Sequence, residues 1–369
     1  MRAGAIGLVL IGHCSYFLPN DGGYLQQILS VFGFFGVEVF FVLSGFLIGK
    51  ILYQMFEASL TLESVVLFLK RRWFRTLPNY YLILIINFFV ASYIGYEVAG
   101  SWRYFFFLQN FASPLLPFFP ESWSLSIEEF AYLILPISLL IVARFSNKTK
   151  QFVALTVILI IIVQMLKFSY NAANPVTTLM EWNLGLKSVV IYRLDGIFFG
   201  VLASVAYLRR NELWVKAKNY AAPLGFLLLI LLFVGVGYFR ITIDKFPMFW
   251  NVFYLPLNSL VAVLFLPFLS EWKSAPTFIA KPITIISVLS YSIYLLHYSI
   301  VLQVLRHNYD LQDNFKDYAT FTFLYLLITF VLSYMLYKFY EKPMTDLREV
   351  AGTANLERFF PLSRFYKKR

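Results

Sequence analysis

A chain of 369 residues that is 60% hydrophobic and only 14% charged, with a mean hydropathy of +0.70, has more apolar surface than a soluble domain can bury. A formal net charge of +11 would point a soluble protein toward nucleic acid, but in a membrane protein basic loops account for it, and no nucleic-acid partner is expected. Strand signals of alternating ten-residue segments are absent, which excludes a β-barrel, and the single Cys14 cannot close a disulfide within the chain.

The expected fold is an all-α polytopic membrane protein. Apolar runs predict about ten spanning helices, near residues 3–19, 27–49, 76–97, 123–143, 151–168, 186–207, 221–239, 251–270, 284–305 and 319–340. With the N-terminus in the cytoplasm, inner loops and tail collect 23 of the 31 Lys and Arg; outer loops hold seven, and Arg193 falls within a span. That asymmetry predicts N-in and C-in. Residues 1–344 are expected to form one membrane-embedded domain, and 345–369 a basic, aromatic tail on the inner leaflet. The outer loop 98–122, rich in aromatics and prolines, is expected to be re-entrant or interfacial. Arg2 and the short run after it resemble a signal peptide, but no small-x-small site follows, so a retained first helix is expected.

In chain order, the first helix carries Arg2 and His13, eleven residues apart. That is three turns plus about 20°, so both lie on one face with a rise of about 16 Å. The second span buries Glu38, followed at helical spacing by Gly45 and Gly49, which allow close helix approach, and it also carries Ser44. At the inner end of the third span, Lys70-Arg-Arg-Trp-Phe-Arg75 places Arg72 and Arg75 on one face, a spacing that suits phosphate. The fourth span brings in Glu128 and Glu129, the sixth Arg193 and Asp195 before a stripe of Gly196, Gly200 and Ser204, and the ninth Tyr291, Ser292, Tyr294 and His297.

Ionisable residues within a membrane are costly, so two histidines and several carboxylates in one bundle predict a buried polar cavity with acid–base capacity. Plainer readings stand beside this one. Arg193 and Asp195 could be structural partners of Glu38 or Glu128, the tyrosines could be interhelical hydrogen bonders, and the basic cluster could be a membrane anchor. No His-x-x-x-His or Glu-x-x-His pair supports a metal site, and no phosphate loop or nucleophile elbow occurs.

Taken together, the chain resembles the acyltransferase-3 family of membrane acyltransferases. Arg2 and His13 fit its Arg-x10-His motif, Phe40-Phe-Val-Leu-Ser-Gly45 its second-span motif and Arg72-Trp-Phe-Arg75 its Arg-x-x-Arg motif. Trp123-Ser-Leu-Ser-Ile-Glu128, Arg193-Leu-Asp-Gly, Tyr291-Ser-Ile-Tyr-Leu-Leu-His297 and Tyr340-Glu-Lys-Pro343 fit later ones, in order. The resemblance implies transfer of an acyl group, commonly acetyl, from cytoplasmic acyl-CoA to a hydroxyl of an extracytoplasmic or lipid-linked sugar of a bacterial envelope polysaccharide such as O-antigen, capsule or exopolysaccharide. It implies a multi-pass protein of the bacterial inner membrane in contact with lipid, with acyl-CoA as donor substrate and no permanently bound cofactor. Many members also carry an esterase-like extracytoplasmic domain; without one, the acceptor is expected to be handled by the membrane part alone or with a partner.

On this reading His13 is the general base or a transient acyl carrier, with Glu128 and His297 orienting it or the acceptor. Arg2, Arg72 and Arg75 hold the donor, while Glu38, Ser44, Arg193, Asp195, Tyr291 and Tyr294 support the polar cavity. The rival is a proton-coupled secondary transporter that uses Glu38, Asp195, Arg193 and His13 as a relay. Against it, no repeat or pair of broken helices is visible in the sequence.

Overall fold

The computed structural model describes residues 1–18, 23–142, 147–173, 176–272, 274–309 and 315–350. Arg144, Lys273 and the tail expected beyond residue 350 lie outside them. The described residues hold helices and no strand. The helices are α1 (Arg2–Cys14), α2 (Tyr24–Ser59), α3 (Leu62–Ile94), α4 (Trp123–Val142), α5 (Lys148–Ala173) and the short α6 (Leu179–Trp182). They continue with α7 (Asp195–Arg209), α8 (Asn211–Ile230), α9 (Val236–Tyr238), α10 (Leu255–Leu264) and α11 (Leu266–Glu271). The last are α12 (Thr277–Leu296), α13 (Gln303–Asn308), α14 (Phe315–Leu336) and α15 (Lys342–Val350). The expected all-α polytopic class holds: eight helical segments among the described residues are long and apolar enough to cross a membrane. Two of the ten expected spans, α1 with 13 residues and α7 with 15, are shorter than the roughly 20 residues that a straight crossing takes.

Helix ends follow from local chemistry. Thr61 caps α3: its hydroxyl accepts from the Ser64 amide at 3.2 Å, and the Ser64 hydroxyl accepts from the Thr61 amide at 3.0 Å. Gly95 ends it at φ +87°. With 33 residues, α3 is about 50 Å long against a hydrocarbon core of about 30 Å. The basic cluster 70–75 therefore sits on a continuous helix that extends past the core, rather than in a loop before the span.

The packing centre is the contact of α2 with α7 and α1. A Cβ on Gly45 would lie 1.9 Å from the Ile197 carbonyl oxygen, and one on Gly200 would lie 2.1 Å from that of Val42. These two backbones touch, and only glycine permits it. Side chains on the outside are apolar, with Phe89 and Ile141 each 71% exposed, as lipid contact requires.

Two expected segments differ in detail. The run 186–207 is not one helix. It opens with a π-turn (Asn183–Lys187) and a 3₁₀-turn (Val190–Tyr192), and Arg193 precedes the first residue of α7, so it lies in irregular backbone rather than within a span. The loop 98–122 folds back into the bundle. Its Gln109 and Asn110 are fully buried, and it exchanges backbone hydrogen bonds with the segment 184–191. Around Gln109 and Asn110 protein surrounds the irregular backbone, while Trp102 and Phe106 stay exposed.

Candidate active site

A cavity of about 110 Å³ lies between α1, α2, α3, α4 and α12. Arg2, Arg72 and Arg75 line one end, and Ser124 and Tyr294 line the other. α1 runs antiparallel to α2, with Gly12 against Gly33 and Ala5 against Gly36, so Arg2 comes to the cavity beside the middle of α2 and the first half of α3. The Arg72 guanidinium lies over the Phe68 and Tyr132 rings at 5.7 and 5.6 Å. Among the described residues, none of the three arginines forms an ion pair. Glu128 lines the same cavity, but its hydrogen bond comes from the Tyr132 hydroxyl at 2.7 Å. That hydroxyl in turn accepts from Ser44 at 2.7 Å. Of the charged residues that line the cavity, three are positive and one is negative, which makes the mouth attract anions.

The walls are tied together by hydrogen bonds. Glu129 accepts from Trp73 Nε1 and Thr76 Oγ1, each at 3.0 Å, and so joins α4 to α3. Tyr291 donates to the Thr76 carbonyl at 2.8 Å, joining α12 to α3. Ser292 donates to Glu341, so the helix bearing Tyr340-Glu-Lys-Pro343 braces α12 from behind. The reading of these residues as interhelical hydrogen bonders holds, and Tyr291 and Tyr294 also line the cavity.

His13 and His297 meet beyond the Tyr294 end, and neither lines the cavity. His297 is fully buried, while His13 is half-buried. His297 Nδ1 stands 2.7 Å from the Tyr294 carbonyl, and His13 Nδ1 stands 2.9 Å from that of Val9. A carbonyl can only accept, so each neutral ring carries its proton on Nδ1. His297 Nε2 is then a bare acceptor, 3.2 Å from His13 Nδ1. This leaves His13 Nε2 with an unprotonated lone pair and no hydrogen bond among the described residues. Between cavity and histidines stands Tyr294, its ring 5.5 Å from that of His297. Its hydroxyl accepts from Ser124 Oγ at 2.6 Å and donates to the Glu121 carbonyl at 3.1 Å.

The six cavity-supporting residues divide. Ser44, Tyr291 and Tyr294 line the cavity; Glu38, Arg193 and Asp195 do not. Those three form a fully buried network in which Glu38 accepts from Arg193 and from Ser259 Oγ at 2.8 Å. Asp195 accepts from Lys167 at 2.5 Å and Gln164 at 2.9 Å. Its other oxygen lies 3.8 Å from Arg193. Two cations balance two anions, and α2, α5, α7 and α10 are joined. The plainer pairing of Arg193 with Glu38 is the one found. Glu128 likewise sits with the arginines and hydrogen-bonds to neither histidine.

Two residues of these clusters carry only weak sequence signals. Lys167 is one of the seven Lys and Arg that the expected topology assigns to outer loops, although Gln164 three residues earlier marks a polar face on α5. Glu121 falls within the expected outer loop 98–122; its signal is an acid just after Pro120 at the start of a span.

The described helices thus form a bundle with a cationic mouth at one end of a polar cavity and a histidine pair beyond the other. The chain belongs to the acyltransferase-3 family, whose acyltransferase domain matches residues 1–338. It is 25% identical to the peptidoglycan O-acetyltransferase OatA of Listeria monocytogenes, over 85% of this chain and 51% of that protein. It is 24% identical to the O-acetyltransferase OatA of Staphylococcus aureus, over 85% of this chain and 52% of that protein. The chain thus spans about half the length of these curated relatives. No solved structure matches it.

Proposed function

We propose that the chain is a membrane O-acyltransferase that moves an acetyl group from acetyl-CoA to a sugar hydroxyl of a bacterial cell-envelope polysaccharide. The observation that carries this reading is the convergence of three guanidiniums, without ion-pair partners among the described residues, on one cavity that ends at the tyrosine beside the histidine pair. Relatives that are O-acetyltransferases support the acyl group and the glycan acceptor. At about 110 Å³ the cavity has room for the thioester end of the donor, and the nucleotide stays at the mouth, where arginines grip phosphate bidentately. We read the arginine end as cytoplasmic, from the charge asymmetry of the loops, and the membrane as the bacterial inner membrane.

In this reading His13 Nε2 takes the proton of the acceptor hydroxyl as its oxygen attacks the thioester carbon. The carbon–sulfur bond breaks, and the CoA sulfur leaves with the proton returned by the imidazolium. His297 fixes the His13 tautomer. The alternative, a transient acyl group on His13, would appear as labelled protein after mixing with radioactive acetyl-CoA alone; absence of label supports direct transfer.

The test is thiol release from acetyl-CoA by purified protein in detergent, supplied with envelope glycan. His13→Ala should lower the rate by about 10²–10⁴-fold with folded protein preserved. Cys14→Ser, about 100° around α1, should keep the wild-type rate. Equal losses in the two variants would reduce His13 to a packing role. A wild type that releases no CoA, and transports in sealed vesicles instead, would overturn the enzyme reading.

A further inference from the structure

The turn that follows His297 is not α-helical. Residues His297–Leu302 form a π-turn between α12 and α13, and such turns arise where an extra residue is forced into a helix, often at functional sites. A π-turn leaves backbone groups out of register, so something must hold it. Glu121 does: its Oε1 accepts the Ser299 amide at 3.1 Å, and its Oε2 lies 2.5 Å from Ser299 Oγ. Its carbonyl accepts the Tyr294 hydroxyl at 3.1 Å. One residue therefore grips the chain on both sides of His297, three positions before it and two after.

The backbone that aims Glu121 is itself constrained. Phe119, buried and not glycine, sits at φ +47°, a conformation that side chains resist. The 3₁₀-turn Pro120–Ser122 follows, closed by Ser122 Oγ on the Phe119 carbonyl at 2.7 Å. Gln109 Nε2 donates to Ser122 at 3.1 Å and to Ser126 at 2.7 Å, fastening the turn to α4. Strain held in place this firmly, next to a buried carboxylate and a π-turn, marks a positioned group rather than a chance contact.

We propose that Glu121 is the positioning residue of the histidine pair: through Ser299 and Tyr294 it sets the place of His297, whose Nε2 then holds the His13 ring. The consequence for catalysis rests on the acyltransferase reading; the positioning itself does not.

The chain has three histidines, His13, His297 and His307, so nitrogen NMR of ¹⁵N-histidine-labelled protein in detergent gives three resolvable rings. Glu121→Ala should shift the ring nitrogens of His297 and His13 and leave those of the exposed His307 unchanged. Thiol release should fall about 10- to 100-fold, since both hydrogen bonds from Ser299 to the side-chain carboxylate are lost. The KM for acetyl-CoA should not change, because the arginines lie at the other end. In a His297→Ala background, Glu121→Ala should add no further loss, since its effect runs through that ring. Ser299→Ala removes only the hydroxyl contact; it should show the same pattern at smaller size, and it stands in if Glu121→Ala does not fold. Unshifted His297 and His13 signals would overturn the proposal. So would losses that multiply with His297→Ala, or a matching rise in the acetyl-CoA KM. A wild type that releases no CoA, with the NMR shifts still present, would remove the proposed reaction and keep the positioning role.

Discussion

The molecule holds two clusters of buried or half-buried charge that look alike in the sequence and differ in their partners. In one, Glu38, Arg193, Asp195 and Lys167 are fully enclosed and every charge faces its opposite. In the other, Arg2, Arg72 and Arg75 share a cavity with Glu128 and form no ion pair among the described residues. A neutralised network has no charge left to bind with, so it joins helices. An unbalanced set of cations attracts an anion that the chain does not supply.

The largest effect that would sharpen this contrast is on folding. Arg193→Ala strands Glu38 in the bundle and should cost about 3–5 kcal/mol, seen as loss of folded protein or a lower melting temperature. Unchanged melting would break the contrast at its structural half. Removing both partners should hurt less. Glu38→Gln with Arg193→Met leaves no bare charge of that pair, and thermal melting should recover a large part of the single-mutant loss. Smaller still is the response to salt. Raising ionic strength shortens the screening length from about 8 Å at 0.15 M to about 3 Å at 1 M, so the acetyl-CoA KM should rise while melting stays near its low-salt value. The smallest expected change is Arg72→Lys, which keeps the charge, loses the planar fork and should raise the KM only part of the way to that of Arg72→Ala.

What the sequence made legible follows the same division. Helical period placed Arg2 with His13 and Arg72 with Arg75, because each pair lies on one helix and periodicity reports a face. It could not name partners across the chain. Glu38 and Arg193 are 155 residues apart, and Tyr294 and Glu121 are 173 apart. Composition predicted the all-α membrane class, since apolar length is a local property. It misplaced the start of the sixth span because Lys187–Arg193 is nearly as apolar as a helix, while its backbone turns to pair with the loop 98–122. Lys167 reads as a loop charge for a related reason: a lysine near the end of a span more often reaches for water than for an aspartate at the start of another helix.

The central claim, that the arginine mouth binds the donor through its phosphates, is tested most directly by titrating CoA into purified wild type, Arg72→Ala and Arg75→Ala and reading the dissociation constants. Each alanine should weaken CoA about ten- to a hundredfold, with the melting temperature unchanged. Wild-type affinity in both variants would show that these arginines do not hold the donor.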